Sequence, residues 1–196
     1  MTCKSMGIEI LPADINEGEA GFSVSGNAIR YALTAIKNVG RPVIDAIVKE
    51  REEHGSYVSL KDFMERTSEY DVNKRAIEHF IKAGAFDSFG ATRKQLMSVY
   101  SQILDSIQHG KKSTMQGQMS LFDIVSEEDK EELEIKMPNV GEYTKELLLS
   151  FEKEVLGFYV SGHPMEEYQS LWNKYITAKT SDFYLNDETG VIALSD

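Results

Sequence analysis

Cysteine is almost missing from this 196-residue chain: Cys3 is the only one. That excludes an internal disulfide framework and any cysteine-based zinc site, and it makes a reducing cytoplasm the expected compartment. Long apolar runs are missing too. No stretch reaches the roughly 18 residues needed to span a bilayer, and Met1-Thr2-Cys3-Lys4-Ser5 does not lead into a signal-peptide core. Catalytic arrangements are lacking as well, with no phosphate-cradling P-loop, no His/Cys/Glu metal set and no nucleophile elbow. Positive charge is scarce, at 21 Lys and Arg against 32 Asp and Glu for a net charge of −11, which taken whole argues against nucleic acid.

What is present is ordinary for a soluble globular protein, at 41% apolar and 27% charged residues. The length suits one domain with a sizeable core, or two small ones joined by a linker. Charge is unevenly spread. Residues 26–100 hold 12 Lys and Arg against 10 Asp and Glu, whereas residues 101–196 hold 8 against 18. A local cationic patch can bind phosphate on an acidic protein, weakly and with salt dependence.

Hydrophobic periodicity divides the chain. Ile8-Glu9-Ile10-Leu11 and Phe22-Ser23-Val24 read as short extended pieces, stopped by Pro12 and turned by Ser25-Gly26-Asn27. From about Ala28 the period becomes helical through Ile29, Leu33 and Ile36, ending at Asn38-Val39-Gly40. Pro42 suits the first turn of a new helix with Val43, Ile44, Ile47 and Val48 on one face, stopping near Gly55. Ser59 caps a short helix through Arg66, with Asp62 supporting the cap, and Asn73 caps the next, which ends at Ala83-Gly84. Thr92 starts a longer helix that closes at Gly110. Tyr143, Leu147, Phe151, Val155 and Tyr159 mark another that finishes around Ser161-Gly162-His163-Pro164. Strand-like fragments at Phe183-Tyr184-Leu185 and Val191–Leu194 resemble the start of a further domain.

The first hairpin carries the most chemistry. Helix, tight turn at Asn38-Val39-Gly40, then helix is the pattern of a helix-hairpin-helix motif. A turn needing positive φ takes Gly, or Asn next best, and presents the free amides at the start of the following helix. Those donors and the positive end of the helix dipole form an anion site suited to a DNA phosphate. Lys37 and Arg41 flank it, while Pro42 removes one donor. The same residues also fit an ordinary αα-hairpin that merely packs two helices. A second candidate is Lys82-Ala83-Gly84-Ala85, after a helix carrying Lys74 and Arg75; its glycine suits a plain helix C-cap equally well. Two hairpins in tandem would position a duplex through its phosphates without reading bases.

Other polar residues read more plainly. His163 before Pro164, with Glu166 and Glu167 nearby, suits a capping or packing role better than a metal ligand. Asp14 and Glu17 lie in a turn-rich segment and suit solvation or capping. Between Gly110 and Glu132 periodicity is lost, and Gln118-Met119-Ser120-Leu121-Phe122 places two adjacent large apolar side chains in a linker. Either they tuck onto their own domain or they enter a partner's pocket.

Taken in order, several stretches resemble one family, the bacterial replicative DNA polymerase III alpha subunits of the DnaE type. They are Gly7–Asn16, Ile29–Leu33 leading into Ala35–Gly40, Val72–Arg75, Ile81–Asp87, and Glu152–Pro164, and the ordered set covers roughly residues 3–170. Asn38 stands where that family usually has Gly. The resemblance implies a piece of a longer chain, a DNA-directed DNA polymerase (a nucleotidyltransferase), with Met1 an internal start. The piece would lack the palm with its metal-binding carboxylates and the amino-terminal PHP domain. It would therefore be inactive and hold no cofactor, though the whole polymerase would use Mg.

The fold class implied is mainly α, a helical domain with tandem helix-hairpin-helix motifs and short β segments at the N-terminus and at a truncated C-terminus. Residues 1–27 would end the fingers region, 28–110 form the tandem DNA-binding module, 111–137 a flexible linker, 138–176 a helical segment, and 177–196 the start of an OB-fold domain. The resemblance also implies that Gln118, Met119, Ser120, Leu121 and Phe122 dock on the ring-shaped sliding clamp, the beta subunit. Gln118 would offer its amide while Leu121 and Phe122 fill an apolar pocket, anchors worth on the order of 2 kcal/mol each. Ordering the segment offsets part of that gain. Implied partners are double-stranded DNA, the clamp and, through the full-length chain, other replisome subunits, with no membrane. The alternatives are a stand-alone helix-hairpin-helix module of repair or recombination, and a protein-interaction scaffold that touches no DNA.

Overall fold

The computed structural model of the protein describes residues 3–115, 136–178, 183–185 and 192–194. Its contacts group the chain into two units, Met1–Ser161 and Gly162–Asp196, so the segment 138–176 drawn as one piece from sequence is divided between them.

The first unit opens with a 3-10 turn at Cys3–Met6 and three short strands: β1 (Glu9–Leu11), β2 (Ser23–Ser25) and β3 (Ala28–Arg30). They form a sheet in the order β1-β3-β2, with β1 parallel to β3 and β2 antiparallel to it. Here the structure corrects the sequence reading, which began a helix at Ala28. Residues 28–30 are strand, and helical conformation before the first hairpin is limited to the 3-10 turn Leu33–Ala35. The cause is competition for backbone amides. Tyr31 N–H donates to Leu11 O, Leu33 N–H to Glu19 O and Thr34 N–H to Ala20 O, at 3.0–3.3 Å. Donors that would seed a helix are taken by the preceding loop.

The helices follow their caps. In α1 (Arg41–His54), Pro42 occupies the first turn, Ile44, Ile47 and Val48 face inward, and Gly55 at φ 84° ends the helix. In α2 (Leu60–Arg66), Ser59 Oγ accepts from Asp62 N–H while Asp62 Oδ2 accepts from Val58 N–H, at 3.1 and 3.0 Å. Asn73 Oδ1 caps α3 (Lys74–Ala83) through Ala76 N–H. Thr92 and Gln95 bond each other's amides at the start of α4 (Arg93–Met115), which runs past the stop expected at Gly110. Thr144 caps α5 (Lys145–Leu156). That helix ends at Gly157, at φ 87°, and not at Ser161-Gly162; glycine takes the left-handed conformation earlier than the apolar spacing suggested, and Tyr159 lies beyond the helix.

These helices enclose one core. Phe63 contacts Phe80 and Phe86 edge-on, with ring centres 5.9 and 5.0 Å apart, and Tyr57 closes the cluster at 5.1 Å from Phe63. All four are at most 2% exposed, so truncating any of the phenylalanines to Ala would cost about 3–5 kcal/mol. Ala13 and Ile15 from the N-terminal loop and Val155 and Leu156 from α5 complete the same core. Asp14 Oδ1 accepts from the amides of Asn16 and Glu17 at 2.7 and 3.0 Å, a capping turn that anchors this loop.

The second unit contains a 3-10 turn at Glu166–Tyr168, α6 (Gln169–Tyr175) and an antiparallel pair, β4 (Phe183–Leu185) and β5 (Ile192–Leu194). The pair falls where the sequence placed strand fragments. His163 Nδ1 accepts from Met165 N–H at 3.1 Å, a local turn contact. No helix among the described residues is long and apolar enough to cross a membrane.

Candidate nucleic-acid interface

The turn at residues 37–40 is built around Asn38, which sits at φ 63° and is the one non-glycine residue with positive φ among those described. Asn tolerates that conformation because its short amide hydrogen-bonds locally. Gly40, at φ −72°, is instead the N-cap of α1 and has no side chain to cap with. Val43 and Ile44 N–H fold back on Gly40 O at 3.1 and 3.2 Å. Among the described residues nothing accepts from the amides of Val39, Gly40 or Arg41. Three successive backbone donors thus stand at the positive end of a 14-residue helix.

The base beneath this turn is rigid. Lys37 N–H donates to Val155 O at 2.9 Å, and Lys37 Nζ donates to Glu154 O at 2.7 Å. His79, buried on α3, donates from Nδ1 to Lys37 O at 2.6 Å, with the Asn38 amide 3.5 Å from the same nitrogen. Lys37 is therefore committed to the carbonyl end of α5, where a cation is favoured. Arg41 is the free cation of the turn. Its side chain is 74% exposed and faces Asp45 at 3.7 Å, a pair of negligible strength in water.

The second candidate is a different object. Ala83, Gly84 and Ala85 are buried. Gly84 N–H donates to Ile81 O and Ala85 N–H to Phe80 O, at 3.0 and 2.9 Å, while Ala85 O accepts from Ile15 N–H. Those amides are spent on the C-cap of α3, and the plain-cap reading of this glycine is the one the geometry supports. Gly84 has φ 79°, and a Cβ there would meet Arg93 Nη2 at 2.1 Å. The missing side chain makes room for a guanidinium, not a phosphate. The cations grouped with this turn are also scattered. Lys74 and Arg75 lie at the other end of α3 from Lys82, about 12 Å along the axis at 1.5 Å per residue. Lys74 Nζ donates to Ser101 Oγ at 3.1 Å, Arg75 is exposed, and Lys82 Nζ donates to both carboxylate oxygens of Glu154 at 2.8 and 3.0 Å.

Arg93 was not singled out by sequence, yet it joins three elements. It donates to Asp87 Oδ2 from Nη2 at 2.8 Å, to Lys82 O from Nη1 at 3.2 Å, and to Glu152 Oε1 at 3.5 Å. Glu152, 1% exposed, accepts from Val160 and Ser161 N–H with its other oxygen. Burial works against the guanidinium charge, but Asp87 and then Glu152 outweigh it and hold the Arg93 pKa above its ordinary value. A Glu-Lys-Glu-Val run on a helix carries no signal that its first glutamate is buried; only its partners reveal it.

Gln118, Met119, Ser120, Leu121 and Phe122 lie outside the described residues. No three His, Cys, Asp or Glu side chains gather as a metal site among those described.

The chain is similar to known proteins over most of its length. Residues 7–96 match the model of a family described as helix-hairpin-helix motif. The chain is 39% identical over 166 residues to the DNA polymerase III subunit alpha of Borreliella burgdorferi, covering 85% of this chain and 14% of that one. It is 37% identical over 177 residues to that of Saccharopolyspora erythraea (88% and 15%), and 38% identical over 182 residues to that of Vibrio cholerae (92% and 16%). The chain thus spans about one-seventh of the length of these relatives. Over most of its length it is similar to one segment of the DNA polymerase III alpha subunits, and residues 7–96 of that stretch match the helix-hairpin-helix model.

Proposed function

We propose that the chain is a non-catalytic piece of a bacterial replicative DNA polymerase that holds duplex DNA by its backbone and tethers the enzyme to the sliding clamp. The observation that carries the DNA contact is the row of unused amides at Val39, Gly40 and Arg41, set at the start of α1 beside an exposed guanidinium. Such a site takes a phosphodiester without reading a base, so binding is sequence-independent and falls with salt. Homology over 83–92% of the chain to polymerase alpha subunits supports the same placement. Titrating a labelled duplex at two salt concentrations tests it. Arg41→Glu should weaken binding on the order of tenfold at low salt. Equal affinity for parent and variant would overturn the reading.

Clamp tethering rests on Gln118–Phe122 and on the family likeness. A Leu121→Ala, Phe122→Ala double variant should lose binding to the purified clamp, and undiminished binding would refute this half of the proposal. A scaffold that touches no DNA draws support from one observation: Lys37 and Lys82 are already engaged by α5. The same duplex titration separates the two, since a scaffold gives a flat response.

A further inference from the structure

The basic half of the chain is covered by its acidic half at specific points. Glu142 accepts from the amides of Arg93 and Lys94, Glu152 pairs with Arg93, and Glu154 pairs with Lys82. The first two contacts involve a buried guanidinium or the start of α4 and are structural. The third is different. Both oxygens of Glu154 straddle one ammonium group, as two non-bridging phosphate oxygens would. The ammonium of Lys37 lies on the backbone carbonyl of the same residue. Two lysines, one from each sequence-proposed hairpin, therefore converge on Glu154. The Lys82 side chain is only 19% exposed and its ammonium lies 5.4 Å from the centre of the Phe151 ring, whereas the Glu154 carboxylate is 52% exposed. The cation is fixed in place and the anion is the removable partner.

We infer that Glu154 is an internal stand-in for a phosphodiester. It occupies a phosphate subsite centred on Lys82 Nζ with Lys37 beside it, and it leaves when duplex binds across the first hairpin. This rests on the duplex-binding reading above and deepens it. Lys37 lies two residues before the free amides of Val39–Arg41 and touches Glu154, so a backbone held at those amides can reach the surface that Glu154 now covers. The pair is open to solvent on its Glu154 side, where the side chain is 52% exposed, so a phosphate can take the carboxylate's place from that side. The free protein meanwhile keeps the ammonium paired, which lowers its affinity for stray anions. No bond is made or broken in the exchange.

The test is fluorescence anisotropy with a labelled duplex of arbitrary sequence, using the whole 196-residue chain. Glu154→Gln should bind on the order of fivefold tighter than the parent at low salt, the gain shrinking as salt rises. Adding Lys82→Gln to Glu154→Gln should erase the gain, because the freed ammonium is its source. Glu154→Ala serves the same purpose should the glutamine variant melt at a lower temperature. If neither Glu154 variant binds tighter while Arg41→Glu still weakens binding, the inference falls and duplex binding stands. A gain that survives Lys82→Gln also overturns it. If parent, Glu154→Gln and Arg41→Glu all give flat titrations, both fall together.

Discussion

The turn at residues 37–40 and the turn at residues 83–86 share a local grammar of helical spacing, a glycine and flanking lysines, yet they do opposite things with their backbone. In the first, Asn38 takes the left-handed conformation and the amides after it point away from any partner. In the second, Gly84 takes that conformation and the amides close onto Phe80 and Ile81. The first is supported from beneath by His79, Val155 and Glu154. The second is filled from beside by Arg93. A left-handed residue does not by itself make a binding turn; what matters is where the released donors go.

The difference can be broken by substitution, and the largest effect should come from the buried turn. Gly84→Ala adds a methyl within 2.1 Å of Arg93 Nη2 at a position with φ 79°. The left-handed penalty and the displaced buried guanidinium should together cost on the order of 3 kcal/mol in urea unfolding. A loss of only about 1 kcal/mol would mean that the glycine acts as a cap alone. Next comes Glu152→Gln, which keeps the shape but removes the charge facing Arg93 and weakens acceptance from Val160 and Ser161. A loss of about 2 kcal/mol is expected, and an unchanged unfolding midpoint would show that the pair is dispensable.

At the exposed turn the scale drops. Asn38→Val should cost about 1–2 kcal/mol, because a β-branched residue resists positive φ, while Asn38→Gly should stay within about 0.5 kcal/mol of the parent. Equal unfolding midpoints for the two variants would argue against a left-handed residue 38. The smallest effect concerns the far end of α1, where Arg66 Nε donates to Glu50 Oε1 at 3.1 Å. Burial pushes the Glu50 carboxyl up, but the Arg66 hydrogen bond, His54 and Tyr70 more than reverse this, leaving its pKa below the ordinary carboxylate value. A lowered folded-state pKa means stability present above the unfolded carboxylate range and lost as pH falls through the folded value. Glu50→Gln should therefore slightly flatten the acid limb of a stability-against-pH curve, and a parallel curve would count against the pairing.

Much of the local architecture was legible before any coordinates. Ser59 and Asn73 were readable as caps because a short polar side chain before an apolar run has few other uses, and both cap as expected, while Thr92, read as a helix start, bonds the Gln95 amide. Asn38 was readable as the turn residue for the same kind of reason. The misreadings arose where distant backbone intervened. Ile29, Leu33 and Ile36 have helical spacing, yet Leu11, Glu19 and Ala20 take the amides of Tyr31, Leu33 and Thr34. From sequence the second turn fitted a hairpin and a plain cap alike, because nothing in residues 81–86 reveals an arginine arriving from position 93.

By itself, then, the sequence determined where α1, α2 and α3 run, the caps of α2 and α3, the left-handed turn at Asn38 and the likeness to one segment of a polymerase subunit. All of these depend on residues near one another in the chain or on their order along it. Tertiary structure alone decided which lysines are free, which glycine is buried, and that Glu154 lies on Lys82 across 72 residues of chain. Charge pairing depends on distance in space, and only the packing of α5 against α3 brings those two groups within 3 Å.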